Sequence, residues 1–233
     1  MSGLLQASLD DGAPTEGYPF GLPAVRDVDR IEFGAVTVLS GDNGSGKSTI
    51  VEAIAVAAGF NAEGGNRNLR FATADTHSPL HDHLVLRWRG RHHRGWFLRA
   101  ESFYAMASHI GADRDLQAVF PDLHGASHGE SFLDLALARF LQPGLYVLDE
   151  PEAALSIQGQ MALARVIAAS VGSGGQFVIA THSPFLLAYP GAALYELGPD
   201  GVARTTFDDL AATNLWRRFH QDPPTFYARL LSD

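Results

Sequence analysis

Residues 41–49 of the chain read Gly-Asp-Asn-Gly-Ser-Gly-Lys-Ser-Thr. They fit the pattern Gly-x-x-x-x-Gly-Lys-Ser/Thr, and they lie between an apolar run, Val36 to Leu39, and a helical pattern from about Lys47 to Ala58. The glycines let backbone N–H groups turn inward around phosphate oxygens, and the start of the helix adds a favourable dipole. The stretch therefore predicts a strand, a phosphate-binding loop (the P-loop) and a helix, with an accidental glycine-rich turn as the alternative.

The single lysine of the chain lies in this loop. Lys47 is the only lysine, and the other sixteen basic residues are arginine. A compact ammonium group suits a phosphate-binding loop, where a planar guanidinium does not fit. We expect Lys47 to reach the β- and γ-phosphates of a nucleotide and the Ser48 hydroxyl to bind Mg²⁺. The residues expected to contact the nucleotide here are Gly41, Asp42, Asn43, Gly44, Ser45, Gly46, Lys47, Ser48 and Thr49.

Two further apolar runs end in polar residues. Leu145 to Leu148 is followed by Asp149 and Glu150, and residues 177–180 are followed closely by His182. Because ligands of parallel sheets bind beyond the carboxyl ends of the strands, these groups are expected near the P-loop. Asp149 is then expected to hold Mg²⁺, Glu150 to act as the general base that orients the attacking water, and His182 to donate to the γ-phosphate. The alternatives are helix capping by the acids and a structural role for the histidine.

A third motif, Ser127-His-Gly129-Glu130, precedes a helical pattern that continues to Leu141. Ser127 and Glu130 have the spacing of a capping box. A capped helix start beside Gly129 can also present backbone amides to a phosphate, so the two interpretations are compatible. Gly129 precedes Asp149 by 20 residues, which leaves room for one helix and one strand. The motif therefore cannot easily reach the γ-phosphate at its own P-loop, and it is expected to contact the nucleotide of another subunit.

The pattern of elements predicts an α/β fold. Three short apolar strands separated by helices indicate a mostly parallel sheet that is buried on both faces and flanked by helices. An N-terminal antiparallel β region is expected beside it. Leu84 to Arg89, turning at Gly90 and returning through residues 96–98, is predicted to form a hairpin, as are residues 194–197 with 202–207.

These elements are expected to form one domain over residues 1–233. Its parts in chain order are a lead-in with strands (1–35), the P-loop unit (36–60), a hairpin and helical insert (61–126), a segment with the other site motifs (127–190), and a C-terminal hairpin and helix (191–233).

The order of the motifs resembles the ABC-type ATPases over nearly the whole chain, and within them the small bacterial ATPases labelled AAA-family or ABC-like. The resemblance implies a P-loop NTPase fold, ATP and Mg²⁺ as cofactors, and ATP hydrolysis that uses Lys47, Glu150 and His182. It also implies an ATP-dependent homodimer, with Ser127, Gly129 and Glu130 contacting ATP in trans. The P-loop is similar to that of the DNA-repair and chromosome-maintenance branch, although the long coiled coil of that branch is missing.

The chain departs from this family pattern at several positions. The signature reads Ser-His-Gly-Glu where transporter ATPases have Ser-Gly-Gly-Gln, and Glu101-Ser102 stands where a Q-loop glutamine is expected. Tyr18 and Phe20 are the candidates for adenine stacking. Residues 152–156 match the D-loop, and His182 matches the switch histidine.

Composition restricts the partners. The net charge of −9 argues against a uniformly nucleic-acid-binding surface. An arginine strip, interleaved with Trp88 and Trp96, is consistent with a local nucleic-acid site or, as we favour, a solvated hairpin face. It comprises Arg87, Arg89, Arg91, Arg94 and Arg99. Five histidines at 77, 81, 83, 92 and 93 lack the spacing of metal ligands.

The chain has no cysteine, no apolar run long enough to span a bilayer and no secretory signal, so a cytoplasmic protein without membrane insertion is expected. We interpret the sequence as an ATP-hydrolysing switch that acts on another molecule. The alternatives are the ATPase subunit of a membrane transporter and an ATP-gated module that binds nucleic acid or an effector protein. A GTPase is disfavoured because no Asn-Lys-x-Asp motif occurs, and nothing identifies the acceptor pocket of a small-molecule kinase.

Overall fold

The computed structural model describes residues 3–67, 78–100 and 128–232. Its strands are β1 (Gly3–Leu9), β2 (Val36–Gly41), β3 (Leu84–Arg89), β4 (Gly95–Arg99), β5 (Leu145–Asp149), β6 (Gln176–Ala180), β7 (Ala193–Gly198) and β8 (Gly201–Thr205). Its helices are α1 (Pro23–Arg26), α2 (Lys47–Ala57), α3 (His128–Arg139), α4 (Ile157–Gly172), α5 (Pro184–Leu187), α6 (Ala211–Gln221) and α7 (Pro223–Leu230). Short 3₁₀ helices are found at Val28–Arg30, Pro79–His83 and Pro151–Ala154.

Six of these strands form one mostly parallel sheet in the order β4-β5-β6-β2-β7-β8. The first five are parallel to one another, and β8 joins the edge antiparallel to β7 through the predicted C-terminal hairpin. The mostly parallel sheet flanked by helices is therefore confirmed. Its order makes β5, β6 and β2 neighbours, so the carboxyl ends of the three strands that carry the predicted motifs meet at one edge.

Both faces of this sheet are buried. Successive residues of β5 point to opposite sides: Tyr146 and Leu148 pack in a core with α3 and α4, whereas Leu145 and Val147 pack in a second core with α2 and the N-terminal segment. All five residues of β5 are buried. Burial on both faces accounts for strands that are apolar without alternation.

The second sheet is the antiparallel pair β1–β3, which confirms an N-terminal antiparallel region. The predicted hairpin between residues 84–89 and 96–98 is wrong, because β3 pairs with β1 while β4 pairs in parallel with β5. The physical reason is burial. Buried and more exposed residues alternate along β3, as in a half-solvated strand, whereas Gly95 to Leu98 of β4 are all buried and fit a strand covered on both faces.

The helical patterns predicted from about Lys47 to Ala58 and up to Leu141 agree with α2 and α3 to within a few residues at each end. Residues 101–126 of the expected hairpin and helical insert lie outside the described part of the chain. Pro223 is the first residue of α7 and separates it from α6. Within residues 3–67, 78–100 and 128–232, we find no helix with the length and apolar character needed to span a membrane.

One side chain joins the two sheets. Gln176, at the start of β6, accepts from the Leu4 amide through Oε1 at 2.7 Å, and its Nε2 donates to the carbonyls of Leu4 at 2.8 Å and Gly34 at 2.9 Å. Gln176 is buried, so these backbone groups have no access to water as a replacement partner.

We expect Gln176→Leu to lower the free energy of unfolding by about 2 kcal/mol, because it leaves the Leu4 amide and two carbonyls unsatisfied in the interior. Urea denaturation followed by circular dichroism measures this change. Gln221→Leu, at an exposed glutamine of α6, is the matched control and should change stability by less than about 0.5 kcal/mol. Equal effects of the two substitutions would contradict the linking role of Gln176.

Candidate functional site

The P-loop connects β2 to α2, and its backbone requires glycine. Gly41 has a φ of 145°, and a Cβ there would lie 2.3 Å from the carbonyl oxygen of Leu197. Gly46 precedes α2 with a φ of 99°, in the left-handed region that other residues rarely adopt. Gly44 also has a positive φ, 81°, and open space beside it. Close packing therefore requires glycine at position 41 and backbone conformation requires it at position 46, whereas the space beside Gly44 is open.

Lys47 is buried at the first position of α2, with 4% of its surface exposed. Its Nζ donates to the carbonyl oxygens of Gly41 at 2.8 Å and Asp42 at 3.0 Å. Burial lowers the pKa of the Lys47 ammonium, and nearby carboxylates, chiefly Glu150 and Asp149, partly offset this effect. Glu150 and Asp149 are therefore the carboxylates that act most strongly on the Lys47 ammonium.

The strand ends bring the motifs together as the sheet order requires. Asp149 ends β5 opposite Ala180, the last residue of β6, and Ala180 is in turn opposite Leu39 of β2. Beyond these ends, His182 Nε2 lies 3.6 Å from Glu150 Oε1. The predicted ammonium, the two acids and the imidazole thus lie at one edge of the sheet.

Glu150 has a strained backbone. Its φ and ψ are 47° and 51°, and it is the only residue other than glycine with a positive φ in the described ranges. The residue before a proline is also sterically restricted, and Pro151 follows directly. Its amide donates to the Ala180 carbonyl at 2.9 Å, which holds the turn against β6. Such strain costs about 1–3 kcal/mol and is concentrated at functional sites.

Glu152 fixes the loop that carries the histidine. Its carboxylate accepts from the Thr181 hydroxyl at 2.7 Å and from the His182 backbone amide at 2.5 Å. Ser183, the next residue, donates through its hydroxyl to Gln160 of α4 at 2.7 Å. The sequence interpretation placed Glu152 in a D-loop without a contact. In the structure, Glu152 forms a direct hydrogen bond from that segment to the backbone of His182.

Arg99 was assigned to a solvated hairpin, and that assignment is wrong. As the last residue of β4 it lies beside Asp149, with its Nε 3.4 Å from Asp149 Oδ2, while its Nη1 lies 2.6 Å from Glu52 Oε2. Glu52, on α2, also accepts from the Ser78 amide at 3.1 Å. The signal that could have revealed Arg99 is its place at the carboxyl end of an apolar strand.

The rest of the arginine strip is dispersed. Arg91 donates to the Ala58 carbonyl, Arg94 donates to the Gln142 side chain, and Trp96 is buried in the core. The five arginines therefore do not form the one hairpin face that was predicted, because β3 and β4 belong to different sheets and Arg91 and Arg94 lie in the segment between them. This arrangement removes the observation that suggested a nucleic-acid strip.

The structure describes only some of the other predicted site residues. Gly129 and Glu130 lie in the first turn of α3, whereas Ser127 and the Glu101-Ser102 pair lie outside the described residues. Of the two candidates for adenine stacking, Phe20 is buried and packs edge-on to His83. Tyr18 is 71% exposed, and its hydroxyl lies 3.1 Å from Thr49 Oγ1 of the P-loop, so it is the candidate that remains.

The polar groups at this edge of the sheet are suited to binding a nucleotide with Mg²⁺. The loop has open space beside Gly44, and Lys47 supplies positive charge at the end of the loop. The hydroxyl of Ser48 and the carboxylate of Asp149 are oxygen ligands of the kind that Mg²⁺ prefers. Ser48 and Asp149 are thus the residues that could hold the ion, and Lys47 with the loop amides could hold the phosphates.

Two stretches of the chain match known protein families. Residues 20–84, which contain the P-loop, match the family described as "AAA domain". Residues 130–188, which contain Asp149, Glu150 and His182, match "AAA domain, putative AbiEii toxin, Type IV TA system". The chain is thus similar in sequence to ABC-like P-loop ATPases. The two matched stretches contain the groups that meet at the sheet edge.

Curated proteins also match this chain over part of their length. The "Zinc import ATP-binding protein ZnuC 1" of Aliivibrio fischeri is 32% identical over 59% of this chain and 54% of its own length. The "Cytochrome c biogenesis ATP-binding export protein CcmA" of Rhodopseudomonas palustris is 35% identical over 46% of this chain and 51% of its own length. The chain thus spans about half the length of these relatives. Among solved structures, the "SMC head domain from Thermotoga maritima" matches with a TM-score of 0.42 and 16% identity, covering 76% of this chain and 92% of that one.

A cleft of about 520 Å³ opens beside the P-loop. Gly41, Asp42 and His182 line one side of it. Residues of the β7–β8 hairpin and of α6, including Trp216, line the other side. The sequence did not predict that α6 reaches the site, because contacts between distant elements leave no local pattern.

We expect Arg99→Gln to lower the free energy of unfolding of the protein by about 2 kcal/mol, because it leaves the Glu52 and Asp149 carboxylates without their shared cation. The pair is partly exposed, at 23% and 12% for Arg99 and Glu52, so the loss should be smaller than for a fully buried pair. Adding Glu52→Gln should then recover about 1 kcal/mol. Urea denaturation of the two single variants and the double variant measures the coupling.

Arg87→Gln, at an exposed position of β3, is the matched control and should be nearly neutral. Strictly additive effects of Arg99→Gln and Glu52→Gln would show that the two side chains do not stabilise each other.

Proposed function

We propose that this protein is an ABC-like ATPase that hydrolyses ATP with Mg²⁺ and thereby switches between separate protomers and a head-to-tail dimer with nucleotide between them. The observation that carries the proposal is the convergence of Lys47, Asp149, Glu150 and His182 at the carboxyl edge of β2, β5 and β6. Hydrolysis of a phosphoanhydride needs charge stabilisation and an oriented water, and this edge offers groups for both.

Each group has a distinct role in the proposed reaction. The P-loop amides and Lys47 bind the β- and γ-phosphates and stabilise the charge that develops on them. Glu150 orients the attacking water and accepts its proton, and His182 donates to the γ-phosphate. Glu152 positions His182 through the 2.5 Å hydrogen bond to its amide. Mg²⁺, held by Ser48 and Asp149, would neutralise phosphate charge.

The proposed dimer contact involves the first turn of α3. Gly129 and Glu130 lie in its first turn, where free backbone amides and the helix dipole favour a phosphate. We propose that these residues, with Ser127, contact the nucleotide of a second protomer. Two such contacts related by a twofold axis close a symmetric sandwich, which ties dimer stability to the γ-phosphate.

The matched sequences favour a second candidate function, the ATPase subunit of a membrane transporter. The relatives are named as ATP-binding proteins of zinc import and of cytochrome c biogenesis export. A transporter subunit should co-purify with a membrane protein, and that protein should stimulate its ATPase activity. The rival function of an ATP-gated nucleic-acid module has less support, since Arg87 and Arg89 lie on one sheet and Arg99 lies on the other.

Size-exclusion chromatography of Glu150→Gln with light scattering tests the proposed dimer. With Mg·ATP the variant should elute with twice the mass of the protomer, because it binds ATP without breaking it down. With Mg·ADP it should remain a monomer, since the γ-phosphate that joins the protomers is missing. If the variant binds ATP and yet stays monomeric at micromolar concentration, the sandwich is wrong.

A further inference from the structure

Arg99 contacts two acids at the carboxyl edge of the main sheet, and the two contacts are unequal. Its Nη1 donates to Glu52 Oε2 at 2.6 Å, in the short range of charge-assisted hydrogen bonds. Its Nε lies 3.4 Å from Asp149 Oδ2, which is longer than the usual N–H···O distance of about 2.7–3.2 Å. We name these three residues the arginine bridge. Arg99 is therefore held closely by Glu52 and only loosely by Asp149.

The arginine bridge joins the two elements that carry the proposed metal ligands. Glu52 lies four residues after Ser48 on α2, and residues with this spacing share one face of a helix. Arg99 and Asp149 are opposite each other in the parallel pair β4–β5. A guanidinium that is fixed to α2 thus lies beside the strand residue that is expected to hold Mg²⁺ together with Ser48.

Burial makes a neighbouring cation important for Asp149. The exposed fraction of its side chain is 7%, against 12% for Glu52 and 23% for Arg99. A carboxylate that is so shielded from water is stabilised by a nearby positive charge. Arg99 supplies such a charge in this structure, and Mg²⁺ would supply it when Mg·ATP is bound. The guanidinium and the metal ion therefore compete for one carboxylate.

We propose that Arg99 is a positioning residue that neutralises Asp149 until Mg²⁺ binds and then remains paired with Glu52. This role rests on the function proposed above, because it takes Asp149 to be a metal ligand. The loose contact with Asp149 is the one that the ion displaces. The close contact with Glu52 keeps the guanidinium neutralised, so its charge repels the incoming ion less.

Opposite effects of two substitutions in the arginine bridge distinguish this role from a structural one. Arg99→Gln removes the competing cation, so Mg²⁺ should contribute more to nucleotide binding than in the wild type. Glu52→Gln removes the closer acid, so Arg99 should pair more strongly with Asp149 and Mg²⁺ should contribute less. A loss of local structure would instead reduce the contribution of Mg²⁺ in both variants.

Calorimetric titration with a non-hydrolysable ATP analogue, once in EDTA and once in Mg²⁺, measures this contribution as the ratio of the two dissociation constants. The ratio of the EDTA value to the Mg²⁺ value should rise by about fivefold in Arg99→Gln and fall by about fivefold in Glu52→Gln. Arg87→Gln removes the same charge at an exposed position of β3 and should leave the ratio unchanged. Equal ratios in the wild type and Arg99→Gln, or a fall in both bridge variants, would overturn the proposal.

Thermal unfolding gives a second readout that does not depend on activity. Arg99→Gln should lower Tm in metal-free buffer, and this deficit should shrink in Mg²⁺ with the analogue, because the ion then neutralises Asp149. With the analogue in EDTA the deficit should remain. A deficit of the same size in all three conditions would make Arg99 a purely structural residue and contradict its proposed role.

Asp149→Asn separates this inference from the proposed function. If Asp149→Asn keeps the wild-type ratio of dissociation constants, Asp149 does not hold the metal ion, and both the proposed site and the role of Arg99 are wrong. If Asp149→Asn abolishes the effect of Mg²⁺ while Arg99→Gln keeps the wild-type ratio, the metal site stands and only the role of Arg99 is wrong.

Discussion

Glu150→Gln is expected to lower the rate constant of ATP hydrolysis by about 10²–10⁴-fold, the usual contribution of a general base. The amide cannot accept the proton of the attacking water, although it has nearly the same size as the carboxylate. Nucleotide affinity should change little, since Lys47 and the P-loop amides bind the phosphates. Single-turnover hydrolysis at saturating Mg·ATP measures the rate constant, and binding of a non-hydrolysable analogue measures the affinity.

Glu150→Gly provides a sharp control, because it removes the same carboxylate and also relieves the backbone at a φ of 47°. Its hydrolysis should be as slow as that of Glu150→Gln, while its free energy of unfolding should exceed that of Glu150→Gln by about 1 kcal/mol. A rate constant within about tenfold of wild type for both variants would exclude Glu150 as the base.

Lys47→Arg is expected to weaken nucleotide binding by about 10–100-fold, which corresponds to the loss of a charge-assisted hydrogen bond. The substitution keeps the positive charge but moves it from a compact ammonium group to a planar guanidinium group. Lys47 is 4% exposed, and its ammonium already lies within 3.0 Å of two loop carbonyls, so a planar guanidinium has no room there. Calorimetric titration with a non-hydrolysable ATP analogue measures the affinity.

Arg204→Lys, the reverse exchange at an exposed position of β8, should leave binding and stability unchanged. If Lys47→Arg bound nucleotide as tightly as wild type, Lys47 would not contact the phosphates, and the assignment of residues 41–49 would be mistaken.

The sequence was sufficient for the parts of the site that have a local pattern. Glycines at 41 and 46 are required by backbone geometry, and the runs before Asp149 and His182 are apolar because their strands are buried on both faces. Since parallel strands end at the same edge, strand order alone brings these residues together. This reasoning needs no knowledge of side-chain contacts.

The wrong predictions concern contacts between segments that are far apart in the sequence. Alternation in residues 84–89 indicated a strand correctly, but nothing local shows that its partner is β1 rather than β4. The same error placed Arg99 on a solvated face, although it lies between Glu52 and Asp149. Glu152 was likewise assigned to a segment and not to its contact with His182, which spans 30 residues of sequence.

A crystal structure of Glu150→Gln with Mg·ATP tests the central claim most directly. We expect the γ-phosphate within hydrogen-bonding distance of Lys47 and His182, and the metal ion bound by Ser48 with Asp149 in its coordination shell. The side chain at position 150 should face the γ-phosphorus with room for one water between them. A triphosphate bound elsewhere, or His182 and Asp149 turned away from the phosphates of a bound nucleotide, would contradict the account.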